Sequence, residues 1–523
     1  MNGKSERGEI AGHASVVALG TLASRVLGLV RDQAIAAVFS RAITDAFFVA
    51  FTIPNVLRQI LAEGAVQTAV LPVLTQVRER EGDDAARRFY RAIRGLSLVT
   101  LLAVTALGVG FAPALVSLFA GGYADIPGQI ERTTLLTRWV FPYIFFMGTA
   151  ALGAAALNTH RRFVATSFAP GLLNVAFIVA ALALPGILGA RGYEPGLALA
   201  AAALVGGVLQ VTAQWPSLRK IGYLGGVSLD LSHPGVREVL KRMGPMLIGM
   251  GVYYVDVVLA RRFLSELGVG AQSYFSWAMR LCDFPQGIFV MALSTAALPS
   301  LSRHVARGER DELGRTFAFG MKLALFVALA EPLVVLLFQR GAFDAESARE
   351  TARALVAQGS GIFLVACVRQ LLAVYYALGD TRTPVIVAAA DLAVFIGLAL
   401  SLRGPLGHTG VSWAVSGASG AQALLLWYWL LRREPALRGH GVFGSVLRVA
   451  GAALVAGLSA RYFAALFAPP EGAGELLRAL PALAGSALFA VVFLAASYLL
   501  KNPELAALTA AVRRKLGRKS APS

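Results

Sequence analysis

Arg25, Arg31 and Asp32 stand inside ASRVLGLVRDQAIAAVF (residues 23–39), a stretch otherwise apolar enough to be a membrane helix. Arg58 follows Pro54 in a second apolar stretch, with Asp45 and Glu63 on either side. Arg280 and Asp283 share a third, and Arg369 lies in a fourth. An arginine at the centre of a membrane helix costs roughly 2.5–3.5 kcal/mol even on a lenient insertion scale, so this set facing lipid would cost on the order of 10 kcal/mol or more. The placement therefore predicts that the arginines face a bundle interior or a water-filled cavity. A guanidinium keeps its charge and binds phosphate oxygens through two parallel hydrogen bonds. Guanidiniums drawn from both halves of the chain suit a multiply charged oxyanion, and diphosphate is the ligand class they indicate. Ion pairing with Asp32, Asp45, Glu63 or Asp283 is the competing reading for each arginine taken singly. Arg25 and Asp32, seven apart, fall on one helical face. Arg31 is turned roughly 120° from Arg25 on an ideal helix, so either Gly28 bends the helix or the two arginines have different roles.

The elements that must position these side chains are read from hydropathy. Of the 523 residues, 57% are apolar and only 15% charged, and the mean hydropathy is +0.65. Soluble chains run at about 45–50% apolar and about 25% charged. Apolar runs of about 20 residues, enough to cross a bilayer as a helix, recur along the chain. The fold class is an all-α polytopic membrane protein. A β-barrel would need short alternating segments instead. About fourteen spans are read, at 14–38, 44–77, 95–119, 135–157, 164–187, 195–217, 238–263, 270–302, 315–339, 350–378, 384–402, 409–431, 445–468 and 478–500.

The net charge of +18 is distributed by loop. Every second loop is basic: 78–94, 158–163, 218–242, 303–315, 379–384, 431–441 and the tail 512–520. Such loops mark the cytoplasmic side rather than nucleic-acid binding, and the alternation places both termini in the cytoplasm. The pair Arg261–Arg262 falls on the opposite side. It either snorkels outward or marks a misplaced seventh span. LNTHRRFVATSFAPGLLNV (157–175) echoes LGDTRTPVIVAAADLAV (378–394), and AVLPVLTQV (69–77) echoes AALPSLSRH (296–304). The shared offset spans six helices, a parallel-repeat pattern known among transporters. It divides the chain into 1–220 (helices 1–6), 221–440 (helices 7–12) and 441–523 (helices 13–14 and a basic tail).

Cys282 and Cys367 lie within apolar spans as small core residues, and the histidines form no cluster. Asp256 in span 7 and Asp391 in span 11 are buried acids suited to coordinating Na⁺, carrying a proton or pairing with an arginine. Pro54, Pro142 and Pro384 sit in or beside spans, where proline favours a kink.

SRVLGLVRD (24–32), TDAFFVAFTIPNVLRQILAEGAVQTAVLPVL (44–74), RLCDFPQGIFVMALSTAALPSLS (280–302) and ALGDTRTPV (377–385) strongly resemble the MurJ/MviN lipid II flippases. That family is similar to the multidrug/oligosaccharidyl-lipid/polysaccharide exporters. The resemblance implies two six-helix lobes around a central cavity, with two extra C-terminal helices forming a groove for a polyprenyl tail. Carried over by motif, the family's cavity arginines fall on Arg25, Arg31, Arg58 and Arg280. Asp32 follows Arg31 as in the family, and Asp45 and Glu63 match its acids. The chain departs at Gln59, where a second basic residue is common, at Met279, where an Asp is common, and at Arg369, where relatives carry Lys. The resemblance also implies a Na⁺ site on helices 7, 11 and 12, two of which carry Asp256 and Asp391.

The expected function is a flippase moving lipid II from the inner to the outer leaflet of a bacterial cytoplasmic membrane by alternating access. It needs no catalytic residue and no cofactor beyond Na⁺ or H⁺ coupling and the membrane potential. The expected partners are lipid II, membrane lipids and cell-wall synthesis proteins, with a monomeric state and no nucleic acid. The alternatives are an exporter of another oligosaccharide-lipid or a drug on the same fold, and a polyprenyl-diphosphate enzyme. A cation exporter calls for an acidic site. An enzyme calls for a catalytic acid, His or metal cluster, and none is visible.

Overall fold

The computed structural model describes residues 3–64, 66–283, 327–378, 380, 382–433, 442–467 and 474–500, and every regular element among them is helical. Two compact units divide the chain, Met1–Gln272 and Ser273–Ser523. The first holds α1 (Gly3–Val38), α2 (Arg41–Arg58), α3 (Leu71–Glu81), α4 (Asp83–Gly110), α5 (Ala112–Ala120), α6 (Gln129–Val140), α7 (Tyr143–Thr159), α8 (Phe163–Ala190), α9 (Leu197–Lys220) and α10 (Pro234–Ser265). Then come α11 (271–283), α12 (Ala330–Phe338), α13 (Ala345–Ala377), α14 (Arg382–Leu406), α15 (His408–Arg433), α16 (Val442–Leu466) and α17 (Glu475–Leu499). Predicted spans 1–7 and 10–14 each fall on helices of this series. Spans 8 and 9 lie partly outside the described residues. Among the described residues, seven segments are long and apolar enough to cross a membrane.

Three predicted spans are not single α-helices. The 44–77 span leaves α geometry after Arg58 and runs through two π-helical stretches, Gln59–Gly64 and Val66–Val70, before α3 restores it. The third breaks at Phe111, where Pro113 sits in the first turn of α5 and lacks the N–H to continue α4. The fourth breaks at Phe141–Pro142 for the same reason. Pro54, by contrast, stays inside α2. The α1 helix is continuous through Gly28.

In the first unit α1 packs on α8, α8 on α9, α7 on α9 and α2 on α6. The α8–α9 contact depends on a small residue. A Cβ on Gly206 of α9 would stand 2.5 Å from Leu173 Cδ1 and 3.4 Å from Ala176 Cβ, both on α8. Small residues let backbones approach where lipid supplies no hydrophobic drive between helices. Phe47 and Phe51 of α2 meet Phe177 of α8 edge-on, at 5.8 and 6.0 Å between ring centres. Here α10 contacts α5 and the π stretches and belongs to the first unit. Its last turn carries Arg261 and Arg262. Arg262 donates to the Ser117 carbonyl (2.8 Å) and to Glu266 (3.2 Å), and Arg261 donates to Gln272 (2.8 Å). The seventh span thus lies where expected, and local acceptors satisfy its two terminal arginines.

In the second unit Ala452, Ala456, Ala460 and Ala464 make a stripe at four-residue spacing along α16. Phe489 and Phe493 of α17 lie on it, their rings stacked 5.7 Å apart. Trp277 of α11 is fully buried against Phe338 and Phe343.

The turn into α14 is built on Asp380. Its carboxylate accepts from the backbone N–H groups of Arg382 and Thr383 (3.0 Å each), from the Thr383 hydroxyl (2.7 Å) and from Arg433 at the end of α15 (2.7 Å). Those bonds, the Thr383 N–H first, hold its carboxyl below the ordinary value of 3.8. A carboxyl depressed on folding contributes stability that is complete above its ordinary value and lost as pH falls through the folded value. The melting temperature of Asp380→Asn should therefore lie below that of the unaltered protein at pH 7. The two should converge as the pH is taken below 3.8. A gap independent of pH would contradict the assignment.

Candidate functional site

The site is built from α1 and α8. The α1 helix is unbroken, so Arg31 is turned away from Arg25, and it faces α8. Its Nε and Nη2 donate to Oδ1 of Asp32 at 3.0 and 2.8 Å, and its Nη1 donates to Oδ1 of Asn174 at 3.0 Å. Asn174 donates in turn to the Ser24 carbonyl, about two turns back along α1 from Arg31, at 2.9 Å. The Arg31 guanidinium carbon lies 5.8 Å from the centre of the Phe177 ring. That ring's negative face attracts a cation. The arginine is thus held by an acid, an amide and a ring at once.

Exposure decides what this clasp is worth. The Arg31 and Asp32 side chains are 13% and 8% exposed, so the pair is largely out of water. A surface pair contributes about 0–1 kcal/mol, but breaking a buried one by removing one partner costs about 3–5 kcal/mol. The pairing cancels the charge that Arg31 alone would carry into an apolar medium. A guanidinium has five N–H groups, and the three bonds above leave one on each Nη for an incoming oxyanion.

Arg58 ends α2 at the junction with the first π stretch. It is half-buried, and its Nε donates to Oδ1 of Asn55 at 2.9 Å. The next residue, Gln59, accepts from the Tyr254 hydroxyl of α10 at 3.0 Å, which ties this junction to α10. π-helical turns recur at functional sites. Asp45 is fully buried and accepts from the Gly270 N–H, so it anchors the turn before α11. Arg25 is half-buried on α1. Glu63 falls in the first π stretch, and its side chain lies outside the described residues.

In the second unit Arg280 and Asp283 are exposed on α11 and Arg369 is exposed on α13, which leaves the water-filled cavity as the setting the hydropathy reading allows them. Asp256 is half-buried on α10 and Asp391 half-buried on α14, in separate units. Asp391 Oδ1 makes no hydrogen bond among the described residues. No group of three or more His, Cys, Asp or Glu that could hold a metal occurs among the described residues. Asn174 and Phe177 were missed in the sequence. The signal was present, since Asn174 is a polar residue inside an apolar helix.

Residues 35–481 match the family model described as lipid II flippase MurJ. The chain belongs to the MurJ family. A lipid II flippase MurJ from Burkholderia cenocepacia is 35% identical over 450 residues, covering 83% of this chain and 86% of that protein. A probable lipid II flippase MurJ from Bdellovibrio bacteriovorus is 34% identical, with 87% and 89% covered. A solved lipid II flippase MurJ in an inward closed conformation shares the fold, with a TM-score of 0.72 at 21% identity, covering 91% of this chain and 98% of that one. An inward-facing MATE multidrug resistance transporter of the MOP superfamily matches less closely, with a TM-score of 0.62 at 17% identity over 79% and 95% of the chains. The fold is therefore shared more widely than MurJ. The family match is the narrower finding, and it spans Asp45, Arg58, Arg280 and Arg369.

Proposed function

We infer that this protein is a lipid II flippase, a transporter and not an enzyme, embedded as a multi-pass protein in the bacterial cytoplasmic membrane with both termini inside. The match to the MurJ family over residues 35–481 carries this reading, and the clasped arginine on α1 supplies a physical basis for it. The lipid carries a diphosphate between polyprenyl tail and sugar. Arg31 offers its two remaining N–H groups to a diphosphate oxygen, with Asp32, Asn174 and Phe177 fixing the guanidinium plane beforehand. A preoriented fork loses little freedom on binding. Arg58 is the second contact in the same unit. Arg280 and Arg369 serve as further cations along the path, and Arg25 shapes its field. The tail stays in lipid while the head group crosses, so no covalent step is needed. Charges that move across the field respond to it at about 2.3 kcal/mol per charge per 100 mV. An inside-negative potential favours the states that hold uncompensated positive charge nearer the cytoplasm, and Arg31 paired with Asp32 adds none. An exporter of cationic drugs on the same fold would need acceptors in its site, and the clasp on α1 presents two remaining N–H donors.

The test is leaflet accounting. Cells depleted of their own flippase and supplied with this chain should carry lipid II in the outer leaflet, open to an externally added probe. Arg58→Ala should lower that externally accessible fraction at least about ten-fold at equal protein level. Lipid II reaching the outer leaflet as well with Arg58→Ala as without it would remove Arg58 from the path. Retention of lipid II inside with the unaltered chain would overturn the function.

A further inference from the structure

A second cluster of guanidiniums lies away from this site, where the start of α4 meets the segment joining α9 to α10. Arg87, Arg88 and Arg91 line a cavity of about 250 Å³ with Tyr223 and the Gly222–Gly225 turn. Asp84 is the acid beside them, bonded to Arg87 Nη1 at 3.0 Å. Arg88 and Arg91 are exposed and make no ion pair among the described residues. The joining segment is pinned: Ser228 N–H donates to the Arg91 carbonyl at 3.1 Å, and Arg94 donates to the Leu224 carbonyl at 3.3 Å. Gly222 has φ +77°, and a Cβ there would come within 3.0 Å of Arg87 Nε, so glycine keeps the cavity open on that side. Two buried donors have no hydrogen-bond partner among the described residues: Arg87 Nε and the hydroxyl of Tyr223, a residue only 2% exposed.

We propose that this cavity is a binding site for a phosphoryl anion, with Arg87, Arg88, Arg91 and the Tyr223 hydroxyl as its donors. Three guanidiniums against one carboxylate leave an excess of positive charge, and unpartnered donors are what a phosphate's several acceptor oxygens satisfy. The general bias of basic residues toward one side of a membrane explains arginines in this loop. It does not explain a buried phenol without an acceptor. Burial holds that phenol's pKa at about 12, so at neutral pH it keeps its proton and donates. The volume has room for a phosphate or diphosphate. The anion has two sources, a soluble phosphate compound or the headgroup of an anionic phospholipid. Leu102 is 61% exposed and lies eleven residues beyond Arg91, three turns along the same face of α4, where an acyl chain would run. The site is independent of the translocation reading.

The experiment uses the full chain in phosphatidylcholine nanodiscs, with two probes. Phosphatidylglycerol is doped into the discs and counted on the intact complex by mass spectrometry, and inorganic pyrophosphate is titrated by calorimetry. Arg88→Lys/Arg91→Lys preserves the loop charge that fixes topology but loses the planar fork. It should weaken binding about ten-fold with an unchanged melting temperature. Tyr223→Phe removes only an unpartnered hydroxyl and should weaken binding about five-fold, the value of one neutral hydrogen bond. Arg58→Ala should leave this binding intact, which separates it from any anion held on the translocation path. Retention of phosphatidylglycerol identifies a headgroup site, and saturable pyrophosphate binding identifies a soluble ligand. Either supports the proposal if the variants weaken it. Absence of saturable binding by both probes, or variants that bind like the unaltered protein, would overturn it.

Discussion

Arg31→Ala is expected to stop translocation and to cost about 3 kcal/mol of stability, the lower end of the range for breaking a buried pair because the side chain keeps some exposure. The variant leaves the buried carboxylate of Asp32 without the Arg31 guanidinium and the Asn174 carbonyl without that donor. Two further variants separate folding from function. Arg31→Leu/Asp32→Leu removes both charges, replaces them with apolar volume and should recover most of the stability. It should still not transport, since no fork remains to meet the diphosphate. Arg31→Lys keeps the charge but cannot reach Asp32 through two nitrogens and Asn174 through a third. It should fold nearly normally and transport poorly. Thermal unfolding in detergent and the leaflet assay read the two effects. A double-leucine variant that transports would show that Arg31 serves folding alone.

Gly95→Ala is expected to destabilise the first unit by about 1–3 kcal/mol, although alanine is the better helix former. The gain in helix propensity is about 1 kcal/mol. Against it, a Cβ on Gly95 would stand 2.0 Å from the Ser228 carbonyl oxygen and 2.8 Å from its carbon. Those are backbone atoms, so no side-chain rotation relieves the overlap. The segment must lift off α4, and the Ser228–Arg91 hydrogen bond goes with it. Gly28→Ala supplies the opposite sign. Its Cβ would meet only Asn174 Nδ2, at an ordinary 3.8 Å, so the propensity gain survives and the melting temperature should rise. Equal effects from the two substitutions would refute this account.

Helix positions were legible because a bilayer imposes one strong rule, about 20 apolar residues per crossing. Predicted span 5 (164–187) and helix α8 (Phe163–Ala190) agree closely for that reason. Breaks at Phe111 and Phe141 were less legible, since apolarity continues through them and only the following prolines mark them. The bond from Arg31 to Asp32 was legible only as one of several possible pairings, for a geometric reason. Seven-residue spacing put Arg25 on the Asp32 face, whereas a long guanidinium curls back to its immediate neighbour once Asn174 and Phe177 draw it toward α8. Those two residues lie far along the sequence, on a different helix, and no periodicity links them to Arg31. The pocket at Arg87 and Tyr223 was equally hidden. Its basic residues were read as topology markers, and its shape depends on how the segment after α9 folds back on α4.

The π stretches have a practical consequence for anyone labelling this protein. Each wide turn accommodates roughly one residue more than an α turn, and one residue corresponds to about 100° of rotation. A helical wheel started at Asp45 is therefore out of phase by Leu71. Cysteines or spin labels placed on one face by α-helical spacing, one before Gln59 and the other after Val70, would point to different sides, and a failed cross-link there would report the winding of the backbone rather than the distance between helices.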